Sequence, residues 1–116
     1  MLRSCDPPIT LPAWSCMMTG KDPGELGIYG FHAFSARRPD RGAIATASRL
    51  KEPRLWDLAG RMGRRVVSLG VPQTYPPSEV NGWMVSGPLT PAGATCYTYP
   101  QELGAELENA VGSYQP

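Results

Sequence analysis

The sequence lacks an excess of charge of either sign. It carries 11 Lys and Arg residues against 10 Asp and Glu residues, so its formal net charge is +1. A nucleic-acid-binding domain usually has a basic face and a pI above about 9, whereas the pI of this chain is about 7.7. Binding to nucleic acid by bulk charge is therefore not expected, and neither is electrostatic attachment to an anionic membrane.

The sequence also lacks a long apolar run. A transmembrane helix needs about 20 consecutive apolar residues, and no stretch of the chain approaches that length. The N-terminus passes from Met1 into Pro7 and Pro8 without the apolar core of a signal peptide. We therefore expect no membrane association and a cytoplasmic location.

Metal-binding and disulfide-forming residues are scarce. The chain has three cysteines, Cys5, Cys16 and Cys96, and one histidine, His32. An odd number of cysteines without a C-x-x-C pair does not describe a disulfide framework, and one histidine does not complete a zinc knuckle. We expect reduced thiols, and we interpret His32 as a solvated loop residue.

Glycine and proline are abundant, with 13 of each among 116 residues. Such a composition favours turns, but a hydrophobic content of 41% is too high for a disordered linker. The length allows one modest domain. The composition therefore predicts a folded but loop-rich single domain.

The first predicted helix is Ala13–Thr19, ended by Gly20. Pro12 suits its first turn, because proline has no N–H to lose there. Thr10 then lies just before the helix, beside its positive end. Residues 21–30 are punctuated by glycine and proline and predict consecutive turns, and the basic segment 32–42 predicts a surface loop.

The second half of the chain predicts an α/β arrangement. A helix is expected to follow Pro53, with an apolar stripe at helical spacing and a C-terminal cap at Gly63; the stripe consists of Leu55, Leu58, Ala59 and Met62. Val66–Val71 is typical of a buried parallel strand. A short strand at 83–86 and a helix opened by Pro100 and ending at Ala110 complete the prediction. Core packing is the default expectation for the three tryptophans, which are Trp14, Trp56 and Trp83.

One group of motifs carries a specific resemblance. The chain has Thr10-Leu-Pro12, then Thr19-Gly20, Pro23 and Gly27-Ile28 at characteristic spacing. This pattern resembles the nucleophile segment of the alkaline phosphatase superfamily, in its type I phosphodiesterase/nucleotide pyrophosphatase-like branch of phosphohydrolases and phosphomutases. Further matching segments extend the resemblance over nearly the whole chain: Leu55-Trp-Asp57, Val71-Pro-Gln-Thr-Tyr-Pro-Pro77, Val80-Asn-Gly82, Met84-Val-Ser-Gly87 and Tyr99-Pro100.

The resemblance implies a fold, a reaction and a site. The fold would be part of a doubly wound α/β sheet, with residues 1–116 forming the portion of an alkaline-phosphatase-like domain that carries the nucleophile. Thr10 would attack a small phosphoester and form a covalent phospho-threonine intermediate. Two divalent metal ions, zinc or manganese, would hold the phosphate and the nucleophile, with Thr10 as one ligand. Backbone N–H groups at the helix start, those of Leu11, Ala13 and Trp14, would bind the phosphate.

The physical reason for this role of Thr10 is independent of the resemblance. A threonine alcohol is a poor nucleophile in water, so attack on phosphorus needs a base or metal ion and donors for the phosphate oxygens. A helix N-terminus supplies part of that environment. The simpler interpretation is that Thr10 caps the helix.

The chain departs from the family pattern at several positions. Ala13 stands where the nucleotide pyrophosphatases have an asparagine, and Leu26 stands where the family commonly has a histidine. The family's metal-binding Asp before the nucleophile and its later Asp and His residues have no counterpart here. We therefore expect a fragment of the catalytic domain, with Met1 inside the ancestral domain and the remaining ligands elsewhere. This chain alone is expected neither to bind the metal pair tightly nor to turn over substrate.

A non-catalytic role, as a pseudoenzyme remnant or an anion-binding module that keeps the helix end at Thr10, is the alternative to catalysis. A sulfatase-like interpretation of Cys5-Asp-Pro7 fails because Ile9 stands where an arginine is needed.

Because strand Val66–Val71 would lack some of its sheet partners, the isolated chain is expected to be poorly soluble or loosely packed.

Overall fold

A computed structural model describes residues 3–32, 44–112 and 114. Most of the predicted basic loop 32–42 lies outside the described residues. The α-helices are α1 (Thr10–Thr19), α2 (Pro23–Leu26), α3 (Leu55–Arg61) and α4 (Leu103–Val111). The strands are β1 (Val66–Val71), β2 (Gly82–Ser86) and β3 (Thr98–Tyr99), and a short 3-10 turn covers Ala47–Arg49. None of the helices in this part of the chain is long and apolar enough to cross a bilayer.

Helix α1 confirms the predicted helix but begins earlier. Its first residue is Thr10, and Ile9 precedes it in an extended conformation as the N-cap. Pro12 occupies the first turn, as expected. The helix ends where Gly20 adopts the left-handed conformation, with φ 71° and a bond from its N–H to the Cys16 carbonyl. The position of Thr10 inside the helix corrects the prediction that it lies just before it.

Helix α2 replaces part of the predicted run of turns. Pro23 begins the helix, and Asp22 and Glu25 form a reciprocal capping box. The Glu25 N–H donates to Asp22 Oδ1 over 2.9 Å, and the Asp22 N–H donates to Glu25 Oε2 over 3.2 Å. These two bonds satisfy donors at the helix start, which stabilises a single helical turn that glycine and proline content alone does not predict.

Helix α3 forms as predicted, but its buried face differs from the predicted one. Leu55, Leu58 and Met62 are 61%, 44% and 75% exposed, whereas Trp56 is buried. The Arg54 guanidinium lies 5.7 Å from the Trp56 ring centroid and donates to the Ala47 carbonyl. The helix therefore packs through its tryptophan and leaves its apolar stripe on the surface.

The three strands form a mixed sheet in the order β1-β2-β3. β1 and β2 are parallel, from Val66 opposite Gly82 to Val71 opposite Ser86, which confirms the predicted parallel strand. β3 pairs antiparallel with β2 and was not predicted. The prediction that β1 is buried is wrong, because Val67 and Leu69 are 70% and 64% exposed. β1 is an edge strand of this sheet, so only one of its sides is hydrogen-bonded to a described strand.

The remaining elements complete a small α/β fold. α4 begins at Leu103, three residues after Pro100, and packs on β3. A small apolar core joins α1 to the segments that follow it, and it consists of Leu11, Ile28, Ala45 and Leu50. Of the three tryptophans, Trp56 is buried, Trp14 is half-buried and Trp83 is 44% exposed. The expectation of core packing therefore holds for Trp56 but not for Trp83, which stacks with Arg65 at the surface instead.

Candidate functional site

Thr10 is the exposed first residue of α1. Its hydroxyl makes no hydrogen bond with any described residue, and the helix N-cap is Ile9, which has no side-chain cap bond. The simpler interpretation of Thr10 as an N-capping residue is therefore wrong. Its hydroxyl is accessible from outside the fold and is not committed to a structural contact.

The backbone donors around Thr10 are fewer than expected. The Ala13 N–H donates to the Ile9 carbonyl over 2.9 Å, and Pro12 has no N–H. Trp14 lies far enough into α1 for its N–H to bond within the helix. Among the residues expected to bind phosphate, only Leu11 has an N–H that lies too early in the helix to make an intrahelical hydrogen bond. Leu11 is itself buried. The first turn carries no acidic residue, so its positive end is not neutralised locally.

A cavity runs along α1, and neither Thr10 nor Leu11 is among its lining residues. Its volume is about 630 Å³, and it is lined by the N-terminal segment and one face of the helix; its lining residues are Arg3, Ser4, Cys5, Ala13, Trp14, Cys16 and Met17. Ala13 and Trp14, both predicted to bind phosphate, thus share one surface. Arg3 brings a positive charge to the same surface.

A buried polar contact fixes α1 to the loop after β1. The Ser15 hydroxyl donates to Gln73 Oε1 over 2.5 Å and lies 2.8 Å from the Leu11 carbonyl. Gln73 has φ 61° and is 4% exposed, and its Nε2 has no hydrogen-bond partner among the described residues. The sequence motif that contains Gln73 contributed to the family resemblance, but nothing in its spacing indicated contact with α1.

The loop that contains Gln73 is hydrogen-bonded to the ends of both parallel strands. The Thr74 hydroxyl donates to the Val71 carbonyl over 2.6 Å and accepts from the Gly87 N–H over 2.9 Å. The Ser86 hydroxyl donates to the Thr74 carbonyl over 3.1 Å. The loop after β1 therefore links the carboxyl ends of β1 and β2 to the helix that begins with Thr10.

The described residues do not fit a complete metal centre. No group of three His, Cys, Asp or Glu side chains comes together among them. Asp22 and Glu25 cap α2, and Asp57 accepts from the Arg54 N–H over 2.7 Å. Thr10 therefore offers a single oxygen, and the described part of the chain brings no carboxylate cluster to it.

His32, the one histidine of the chain, lies on the surface. It forms an isolated antiparallel bridge with Ile44 and is exposed. Its side chain does not join a group of three metal-binding residues among those described.

Comparison with known protein families gives a match over nearly the whole chain. The family model for type I phosphodiesterase / nucleotide pyrophosphatase matches residues 1–115. No curated protein matches the chain, and no solved structure matches it.

Proposed function

The chain belongs to the type I phosphodiesterase / nucleotide pyrophosphatase family, and from this premise we propose that it carries the nucleophile of a phosphoester hydrolase. The match supports a phosphodiesterase- or pyrophosphatase-type hydrolase in general. The finer proposal is that Thr10 attacks the phosphorus of a small phosphoester. The Thr10 oxygen bonds to phosphorus as the bond to the leaving alcohol breaks, and water then cleaves the Thr10–phosphorus linkage, which releases phosphate from a monoester substrate or the remaining phosphomonoester from a diester.

The observation that supports this role most strongly is that the Thr10 hydroxyl is accessible and makes no hydrogen bond with a described residue. A nucleophile needs an approach path for the substrate and an oxygen that is not already held in a structural bond. A threonine sealed beneath packed side chains would not meet either condition. Thr10 meets both, although its neighbours Leu11 and Pro12 are buried.

The helix start favours an anion close to this hydroxyl. A phosphoryl group at the N-terminus of α1 would interact with the positive end of the helix dipole, and no acidic side chain of the first turn opposes it. We propose that Leu11, Ala13 and Trp14 form the phosphate site at the start of this helix. The Ala13 N–H is already bonded to Ile9, so Ala13 contributes shape rather than a hydrogen bond.

The family is generally metal-dependent. For the intact domain we propose two divalent ions, zinc or manganese, with Thr10 as one ligand. Such ions supply charge for the phosphate oxygens. Because the described residues bring no carboxylate cluster to Thr10, the other ligands in this proposal come from the rest of the catalytic domain, of which this chain is one part.

The test compares Thr10→Ala and Thr10→Ser in the full-length protein. Hydrolysis of an aryl phosphodiester is measured with zinc or manganese, and acid-quenched samples are searched for the phosphoryl group of the substrate, with its remaining ester, on residue 10. We expect Thr10→Ala to lose activity by about 10³-fold or more, because a covalent nucleophile is removed, and Thr10→Ser to keep part of it. The Thr10 hydroxyl makes no hydrogen bond with a described residue. The free energy of unfolding of both variants should therefore lie within about 0.5 kcal/mol of the parent value. Unchanged turnover in Thr10→Ala would refute the assignment.

The non-catalytic alternative gives a different result in the same experiment. If the chain is an anion-binding module, phosphate binds without added metal, and no phosphorylated Thr10 is found. Phosphate titration monitored by the amide resonances of α1 distinguishes the two functions.

A further inference from the structure

A second cavity, of about 620 Å³, is lined by the loop before β3 and by α4. This volume suits a small ligand, since ligand pockets measure about 300–1,000 Å³. Its wall combines small residues with two tyrosines, Tyr97 and Tyr114, and one acidic residue, Glu108, and no described lysine or arginine lines it. It shares no lining residue with the cavity along α1.

Tyr97 contacts both of the other two larger side chains. Its hydroxyl donates to Glu108 Oε1 over 3.3 Å. Its ring stacks with that of Tyr114, with the centroids 6.0 Å apart and an interplanar angle of 29°. Tyr97 is buried, at 4% exposure, so close packing restricts where its ring and hydroxyl can lie. A carboxylate and a second ring are therefore held at one fixed tyrosine.

The face of α4 that carries Glu108 packs closely on the end of the sheet. A methyl group at Gly104 would lie 3.3 Å from Thr98 Oγ1 and 3.9 Å from the Tyr97 hydroxyl. Gly104 and Glu108 are four residues apart and share one face of the helix. The Tyr97 hydroxyl thus lies along the same helix face as the carboxylate to which it donates.

The charge of this group is uncompensated within the described part of the chain. Glu108 is exposed and has no ion-pair partner there. The arginines that lie over aromatic rings, Arg54 and Arg65, lie over tryptophans and not over these tyrosines. A carboxylate and the face of an aromatic ring both attract a cation. The small side chains of the wall suit alkyl groups better than the water shell of an inorganic ion.

We propose that this cavity binds a small alkylated ammonium ion. Glu108 supplies the counter-charge, the half-buried ring of Tyr114 supplies the cation–π contact, and Tyr97 is the positioning residue that holds both. The Tyr97 hydroxyl bonds to Oε1 of the carboxylate, which leaves Oε2 for the ligand. This inference does not depend on the catalytic role of Thr10.

The test titrates the full chain with tetramethylammonium chloride. Binding is followed by the amide resonances of Ala94, Gly104 and Ala105, which line the cavity. Tert-butanol, a neutral molecule of similar shape, is titrated in parallel, and sodium chloride at equal ionic strength is the blank. We expect saturable shifts with tetramethylammonium and binding of tert-butanol weaker by about tenfold or more, because the neutral molecule lacks both electrostatic contacts.

Substitutions separate the two contacts. Glu108→Gln should weaken tetramethylammonium binding about fivefold, because the counter-charge is lost. Tyr114→Leu should weaken it about two- to fivefold, whereas Tyr114→Phe keeps the ring and should bind like the parent. Glu106→Gln is the matched control, because Glu106 is an exposed acidic residue of the same helix that does not line the cavity. It should leave the affinity nearly unchanged.

Tyr97→Phe tests the positioning role. It keeps the stacked ring but removes the bond to the carboxylate, so binding should weaken about twofold or more in the parent and not further in Glu108→Gln, the coupling expected of two groups that act together. An equal loss in both backgrounds would contradict this role. Absence of saturable shifts, equal binding of tert-butanol, or an equal loss in Glu106→Gln and Glu108→Gln would each overturn the proposal.

Discussion

Ser15 in α1 donates a hydrogen bond over 2.5 Å to the side chain of Gln73, 58 residues later in the chain. Both residues are buried, at 2% and 4% exposure. The contact joins the helix that begins with Thr10 to the loop at the carboxyl end of β1. Because loops at the carboxyl ends of parallel strands are where α/β proteins bind ligands, this single bond places the candidate nucleophile relative to the sheet.

Replacement of Ser15 tests how much that bond contributes. Ser15→Ala removes the hydroxyl and leaves Gln73 Oε1 buried without its donor. We expect the free energy of unfolding to fall by about 1–3 kcal/mol, the cost of an unsatisfied buried polar group. Urea denaturation measures the change. Ser48→Ala is the matched control, because Ser48 is exposed in the 3-10 turn; a loss as large in the control would contradict the assignment.

The approach of Gly87 to the end of β1 leaves no room for a side chain. A methyl group at this position would lie 2.3 Å from the Val71 carbonyl oxygen and 2.5 Å from the Gly70 carbonyl carbon. Since both neighbours are backbone atoms, the strands must separate to accept it. We therefore expect Gly87→Ala to destabilise the chain by about 1–3 kcal/mol or more, measured by thermal melting.

Gly30 provides the comparison for that substitution. A methyl group there meets nothing within 4 Å, so Gly30→Ala should leave the melting temperature nearly unchanged. If Gly87→Ala melts like Gly30→Ala, then the close β1 to β2 contact at Gly87 is absent from the folded protein in solution.

The capping box of α2 makes its stability pH-dependent. The Asp22 N–H, and to a smaller extent Lys21, hold the pKa of Glu25 below its ordinary value of 4.5. The unfolded chain therefore binds this proton more readily than the folded chain, so the contribution of ionised Glu25 is present above about pH 4.5 and is lost as the pH falls through the lower folded value. The helix turn should open on acidification.

An amide titration by NMR checks this expectation. The Asp22 N–H resonance should shift with a midpoint below pH 4.5, and Glu25→Gln should abolish that shift. Glu106→Gln in α4 is the control and should leave it intact. A midpoint above 4.5 would mean that the Asp22 N–H does not bind the Glu25 carboxylate.

The exposed face of β1 predicts self-association of the isolated chain. Val67 and Leu69 project from an edge strand, and an apolar edge with unpaired backbone groups is a template for pairing with another molecule. We expect Val67→Lys with Leu69→Lys to reduce light scattering at a given concentration. Val111→Lys in α4 replaces an equally exposed apolar residue outside the sheet and should have little effect. A parent chain that is monomeric and melts sharply would contradict this prediction.

Local sequence signals predicted those elements whose ends are set by one or two residues. Gly20 ends α1 because glycine adopts the left-handed conformation without a steric cost, and the apolar run Val66–Val71 forms a strand parallel to β2. The motifs around Thr10 also carried the family assignment, which the match over residues 1–115 confirms. The roles of Thr10 and of its neighbours in catalysis remain predictions.

The sequence by itself determined where α1 ends, where β1 forms and which family the chain belongs to, because these depend on neighbouring residues and short motifs. The tertiary structure alone decided that Trp56 rather than Leu55 and Met62 is buried, and that Gln73 reaches Ser15. Each of those outcomes depends on which distant segments pack together. The periodicity of a sequence shows which face of a helix or strand is apolar. Which face is buried, and which distant side chains come into contact, depends on how the whole chain packs.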